Sequence, residues 1–403
     1  MKKILYISLV IPLLLTTGCF DEEEISSEQT QSFVKFFNNY PIFYGVDAEQ
    51  VPGSGYALLG TVEEPVTGNT EICLLRTNEY GNTIDSARYY GRSLDDKAYR
   101  LRVLSDGGFA ILGSSQNPVT GKQEVFFIRT NSVGDIIWTR TIGSTLNLEA
   151  LDFEIDHSGS FIMTGYVESS TPATNKQVWI WAIDQDGNNP MWSAKIYGAE
   201  KDDEGRHIQI MGDGGYVITG VTSSYPSGTP VSHAFLLRTN SSGLSSGFDP
   251  LPSTENEEGN CIRILDAETF LILCTVKSTT SVSGADIRLK KVQKILPFEP
   301  ELIWEKTYAN PGNDIGQCLL TEGTSIFILG TTATASTKTA ISLISTDSEG
   351  NNPVYSIFGL ETQLSGSSLE FTSDNGFIIS GTNKLSESSA SATLIKTRPD
   401  GSL

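Results

Sequence analysis

Short apolar runs recur along the whole chain, each preceded by a polar turn and followed by a polar loop. Aligned on the residue that ends each run, GYALLG stops at Gly60, GFAILG at Gly113, SFIMTG at Gly165, GYVITG at Gly220, FLILC at Cys274, IFILG at Gly330 and GFIISG at Gly381. Successive spacings are 53, 52, 55, 54, 56 and 51 residues. Around each run the same order of segments returns. In the second copy, YRLRVL at 99–104 reads as a strand, SDGG as a turn, FAILG as a compact apolar strand and SQNPVTGKQ as a polar loop. VFFIRT then gives a third strand, NSVG a second turn and DIIWTRTIG a fourth strand. The third segment comes back as ICLLRTN, VWIWAID, AFLLRTN and ATLIKTR, and the fourth as WSAKIYG and WEKTYAN.

Four short strands in a unit of some fifty residues describe a propeller blade. Middle strands covered on both faces by neighbouring blades lose the in–out alternation and become continuous apolar runs. A helical solenoid would need a 3.6-residue period, which these runs lack. The predicted fold is therefore all-β, a seven-bladed β-propeller of four-stranded blades over residues 32–403. The two ends agree with it. The seventh copy stops after its second turn, at DGSL, and has no fourth strand; SFVKFF at 32–37 looks like a fourth strand without its first three. Joined, they complete the last blade and remove an exposed sheet edge.

Repeats of the form DGGYIITG, then a strand ending in KT or RT, then NG and a Trp-bearing strand, resemble the propeller repeats abundant in secreted and surface proteins of Bacteroidota. The resemblance covers about residues 40–403; it speaks to fold and is nearly silent on activity. The N-terminus points to the same compartment. Lys2 and Lys3 precede an apolar run at 4–15 that is too short to span a bilayer, closed by Thr16-Thr17-Gly18-Cys19. This resembles a bacterial lipobox, which implies a signal peptide at 1–18 and a lipid on Cys19. The following Phe20-Asp21-Glu22-Glu23-Glu24 reads as a solvated tether over 19–31, and it also resembles the surface-export signal of Bacteroidota lipoproteins. Asp85-Ser86-Ala87 resembles a short O-glycosylation motif of the same group. The expected location is the outer membrane, lipid-anchored and facing the cell surface.

Net charge is −20, and −22 once Lys2 and Lys3 are removed. Such a surface repels nucleic acid and anionic headgroups, and makes cations the natural small partners. The inter-blade loops concentrate carboxylates at Asp95 and Asp96, at Asp202, Asp203 and Glu204, and at Asp314. A ring of these around one mouth would suit a hard cation such as calcium, although no loop has DxDxDG spacing. The second-to-third-strand loops are rich in Ser, Thr, Pro and Asn, as in SSTPATNK and TATASTK. Soluble loops have that composition, and so do rims that hydrogen-bond sugars. Catalytic sets are poor: His157 falls in the third copy and His207 and His233 in the fourth, without GxSxG or a zinc helix motif.

Four cysteines follow Cys19. In NCIRILDAETFLILC a turn at 266–269 would pair Leu265 with Phe270 and set Cys261 opposite Cys274. That admits either a disulfide or two buried thiols. Cys73 and Cys318 read as strand-core residues. Taken together, the sequence points to a monomeric, non-enzymatic scaffold that binds or displays a protein or glycan partner. A periplasmic envelope-assembly factor is one alternative, and a hydrolase with carboxylates at the pore mouth is another.

Overall fold

The computed structural model describes residues 32–403, apart from 93, 144, 171–172, 189, 226–229, 278–283, 311 and 336. The expected signal peptide, Cys19 and the tether lie outside the described residues. Twenty-eight strands form seven four-stranded antiparallel sheets, with no helix among the described residues. Numbering blades in chain order, the first strands are Phe43–Val51, Asp96–Val103, Leu148–Ile155, Asp203–Ile210, Asn256–Ile264, Asp314–Glu322 and Leu364–Phe371. They touch one another around the ring and line a central channel. The fold is a seven-bladed β-propeller. Phe33–Phe37 is the fourth strand of blade 7, paired with Ser389–Lys396, so the chain closes as its two ends predict.

The motif DGG…RT now has a physical account. The Asp of the first turn accepts the backbone N–H two residues on, as Asp106 does from Gly108, Asp213 from Gly215 and Asp374 from Gly376. Its other oxygen pairs with the cation that precedes the third-strand Thr: Asp106 with Arg129, Asp213 with Arg238 at 3.3 Å, and Asp374 with Lys396 at 2.9 Å. The second turn position has positive φ, at 78° for Gly107 and 81° for Gly214, which glycine adopts without strain. In blade 7 Asn375 takes the same position at 61°, as asparagine tolerates.

A second repeated device joins the blades on the same face. In every blade but the fifth, whose turn at 294–300 has no glycine, the glycine of the third-to-fourth turn lies under a side chain of the preceding blade. A Cβ on Gly187, Gly243 or Gly350 would meet Trp138, Trp192 or Trp304 within 3.2 Å. The carbonyls of Gly134 and Gly350 accept hydrogen bonds from the hydroxyls of Tyr90 and Tyr308, at 2.7 and 2.9 Å; Tyr197 reaches Gly243 the same way. The closing strand obeys the same rule. Gly81 of blade 1 packs on Phe33 and Lys35, and Lys35 donates to Asn82 at 2.9 Å. The Trp-containing strand and the NG turn are thus two halves of one inter-blade clasp.

Candidate functional site

The inter-blade carboxylates Asp95, Asp96, Asp202, Asp203 and Asp314 serve the fold's own backbone. At five of the seven junctions the side chain of the opening residue accepts a backbone N–H near the start of the third strand of the blade before, and at the other two a backbone carbonyl does so, that of Thr362 from Thr339 and that of Pro41 from Ala390. Asp95 accepts from Thr70 at 3.0 Å, Asn147 from Gln123 at 2.8 Å, Asp202 from Lys176 at 3.0 Å, Asn256 from Ser232 at 2.9 Å and Asn313 from Ala285 at 2.9 Å. The next carboxylates, Asp96, Asp203 and Asp314, are buried and accept the N–H four residues back, from Arg92, Ala199 and Asn310 at 2.6–2.9 Å. Asp203 also takes hydroxyls from Thr222 and Ser224 at 2.5 and 2.6 Å. Burial raises the Asp96 carboxyl above its ordinary range, against the Ser115 hydroxyl and the Arg92 amide. The six candidate ligands therefore sit at three separate junctions, between blades 1 and 2, 3 and 4, and 5 and 6. Among the described residues no group of three His, Cys, Asp or Glu side chains is placed to hold a metal ion.

Cys261 and Cys274 are not opposite one another. A bulge between Gly259 and Cys261 shifts the register by one residue, so Cys261 faces Leu273 and Cys274 faces Gly259. Ile264, not Leu265, pairs with Phe270. The extra residue turns the two sulfurs to opposite sides of the sheet: Cys261 joins the cluster shared with blade 6, and Cys274 the one shared with blade 4. Both are buried free thiols, as are Cys73 and Cys318.

The same bulge recurs in all seven first strands and positions the channel lining. The residue just after it points inward, giving a ring of Asp47, Arg100, Asp152, His207, Cys261, Cys318 and Ser368. Two residues on lies a second ring of Glu49, Arg102, Glu154, Gln209, Arg263, Leu320 and Glu370. Blades 1 to 3 carry the dense charge. Arg100 donates to Asp152 at 2.7 Å and lies 3.8 Å from Asp47. Arg102 bridges Glu49 and Glu154, both at 3.2 Å. Ring side chains also stitch each blade to the next. Asp47 accepts the N–H of Leu101 at 2.9 Å, Asp152 that of Ile208 at 3.0 Å, Gln209 that of Ile264 at 2.9 Å and Ser368 that of Ala48 at 3.0 Å.

Electrostatics follow from that packing. Burial alone would raise Asp152, but Arg100, His207 and Arg102 together hold it below the ordinary carboxylate range. Glu49 goes the other way: burial pushes it up to about 8 despite Arg102, with Asp47 and Glu370 adding repulsion. Burial likewise raises Glu370, with Arg102 and Arg263 opposing.

Above the rings the channel opens into an upper mouth, on the face of the inter-blade loops. Here Lys176, Glu204, Arg206, Glu258 and Lys277 form a chain of ion pairs across blades 3 to 5, at 2.5–3.0 Å. Beside it a cleft of about 550 Å³ runs between blades 5 and 6, lined by Arg206, Glu258, Asn260, Lys277, Ile315 and Gln317 among others. Ile315 at its rim is 40% exposed.

The rings went unread in the sequence although a signal was present. The first-ring residue stands thirteen before the aligned repeat residue in six blades, as with Asp47 and Gly60, and twelve before it in blade 6, with Cys318 and Gly330. Reading down that column would have collected His207 and Cys261 with the carboxylates.

Comparison with known proteins supports the architecture. No protein-family model matches the chain, and no curated protein matches it. Among solved structures it is similar to the β-propeller domain of the Trilobed protease from Pyrococcus furiosus, with 10% identity, a TM-score of 0.51 and coverage of 89% of this chain and 94% of that one. That propeller is described as having an open velcro topology, whereas here blade 7 is closed by Phe33–Phe37. The chain is also similar to YCF48 from Cyanidioschyzon merolae, with 12% identity, a TM-score of 0.50 and coverage of 91% and 99%. At such identities the likeness concerns the fold alone.

Proposed function

We propose that this propeller is a lipid-anchored binding scaffold of the cell envelope, presenting its upper face to a protein or glycan partner without chemical turnover. One observation carries the reading. The channel carboxylates Asp47, Glu49, Asp152 and Glu154 are engaged by arginines and backbone amides, while the cleft at the upper mouth is open and offers charged and apolar side chains together, among them Arg206, Glu258 and Ile315. Function in rigid folds sits on such loop-bordered clefts. The lipobox-like Cys19 and the acidic tether support the location.

Protease shaving of intact cells, followed by immunoblotting, tests the location. Loss of the protein while a periplasmic control survives supports surface display; survival until the cells are opened replaces it with an envelope-assembly role. Binding is tested with the immobilised chain and its Arg206→Ala and Glu258→Gln variants against glycans and surface proteins. Capture by the parent and loss in both variants is expected.

A hydrolytic reading draws on Glu49. A carboxyl that keeps its proton to about 8, beside Asp47, has the form of a general acid. Glycan cleavage by the parent, abolished in Glu49→Gln, would favour this reading over the scaffold.

A further inference from the structure

We infer that Cys261 and Cys318 form a peroxide-reactive dithiol, with Cys261 the attacking sulfur and Cys318 the resolving one, which oxidises to a disulfide stapling blade 5 to blade 6.

The two cysteines occupy equivalent first-ring positions on the neighbouring strands Asn256–Ile264 and Asp314–Glu322. Both lie in one hydrophobic cluster at the seam between blades 5 and 6. The Sγ of Cys261 lies 3.9 Å from the Leu319 carbonyl, and that of Cys318 lies 3.7 Å from the Leu369 carbonyl, so each sulfur is held against the next blade. Two thiols on adjacent strands, one seated on the backbone beside the other, have the arrangement of an attacking cysteine and its resolving partner.

The surroundings select which sulfur attacks. His207 and Arg263 both act on Cys261. Arg263 donates to His207 Nε2 at 3.2 Å, and because a guanidinium only donates, the imidazole proton sits on Nδ1. That Nδ1 is buried and makes no hydrogen bond of ordinary geometry. It is thus a donor available to a sulfur anion. Burial alone would raise the Cys261 thiol. Cys318, His207 and Arg263 override it and hold Cys261 well below the usual thiol range, while Cys318 is raised by Cys261 and by burial. The thiolate is the nucleophile, and cationic surroundings favour it. The other two thiols serve as internal controls. Burial pushes Cys73 up to about 12 and raises Cys274 as well, and neither has a partner cysteine in its own hydrophobic cluster.

The oxidant must be small, because Cys261 is fully buried and Cys318 retains only 6% exposure. A hydroperoxide fits. The Cys261 thiolate attacks one peroxide oxygen; an S–O bond forms, the O–O bond breaks, and the leaving hydroxide takes up the proton that the thiol released. The Cys318 thiol then attacks the sulfenic sulfur; the S–S bond forms, the S–O bond breaks, and water leaves with the Cys318 proton. Two thiols and one hydrogen peroxide give one disulfide and two waters.

The test uses the folded full chain. It is exposed to dilute hydrogen peroxide, then unfolded, alkylated, digested without reduction and analysed by mass spectrometry, with the Cys19 peptide followed separately. The expected result is a peptide cross-linked through Cys261 and Cys318, formed at least ~10-fold faster than any oxidation of Cys73 or Cys274. Loss of both thiols at the rate of Cys73, or no cross-linked peptide while both remain alkylatable, overturns the inference. Cys318→Ser sharpens it: a dimedone adduct should then accumulate on Cys261, and Cys261→Ser should leave Cys318 unlabelled. A Cys261 no more reactive to dimedone than Cys274 means that the pair is only packed.

Discussion

The lower turns and the channel are built from the same seven repeats, yet they treat repetition in opposite ways. On the lower face six blades set a turn glycine under a side chain of the blade before, and blades 2, 4 and 7 pair the first-turn Asp with the cation of the third strand. In the channel every blade contributes a different residue at one position, from Asp47 and Arg100 to Cys261 and Ser368. Positions that repeat hold neighbouring blades together, so each is a local contact made many times. Positions that differ meet around one narrow channel, so what each one does depends on the residues the other blades bring there.

The most severe way to break this contrast is to open the ring. Deleting residues 32–37 removes a strand paired along its full length and bares the edge of blade 7. We expect loss of most of the ~5–15 kcal/mol by which a folded domain is stable, seen as a non-cooperative melt by circular dichroism and as aggregation. A cooperative melt near the parent midpoint would mean that six complete blades close without the seventh.

Next comes the charged half of the channel. Asp152→Ala strips Arg100 of its closest partner and leaves the Ile208 N–H without its acceptor. Removing one member of a buried pair costs about 3–5 kcal/mol, measurable by urea unfolding. A clasp should cost less. Tyr308→Phe removes one hydroxyl bond to the Gly350 carbonyl and keeps the ring packing, so about 1 kcal/mol is expected. Equal effects in the two variants would erase the distinction between repeated contacts and ring-wide ones.

The pH dependence separates the regions more finely. Glu49 has an ordinary value of 4.5 and is raised to about 8 in the folded ring. Between those values the folded state binds more protons than the unfolded one, so its contribution to stability is full below pH 4.5 and lost as pH rises through 8. Glu49→Gln has no proton to lose there and should flatten that slope in melts from pH 5 to 9. Tyr308→Phe should leave the slope as it is. A wild-type slope in Glu49→Gln would mean that the channel hydrates Glu49 enough to keep it ionised.

Legibility followed the same divide. The seven apolar runs and the orphan strand at 32–37 gave blade number and closure, because those signals are local and recur. The clasps were half visible: the Trp strand and the NG turn stand out as motifs, but their contact crosses from one blade to the next. Asp95 and Asp202 misled because a carboxylate that caps a neighbouring strand looks, in sequence, like one waiting for a cation. Cys261 and Cys274 misled because one extra residue at a bulge reverses which face a side chain occupies, and turn chemistry does not reveal the bulge.

By itself, the sequence determined that seven similar hairpin pairs form and that the two ends of the chain make one blade. Apolar periodicity and turn residues act within a few positions of each other, and that reach is enough to specify blades. Only the tertiary structure decided that Arg100 lies between Asp47 and Asp152, and that Cys261 and Cys318 share the seam between blades 5 and 6. These residues stand more than fifty positions apart from blade to blade, and ring closure, not chain proximity, brings their side chains into one narrow channel.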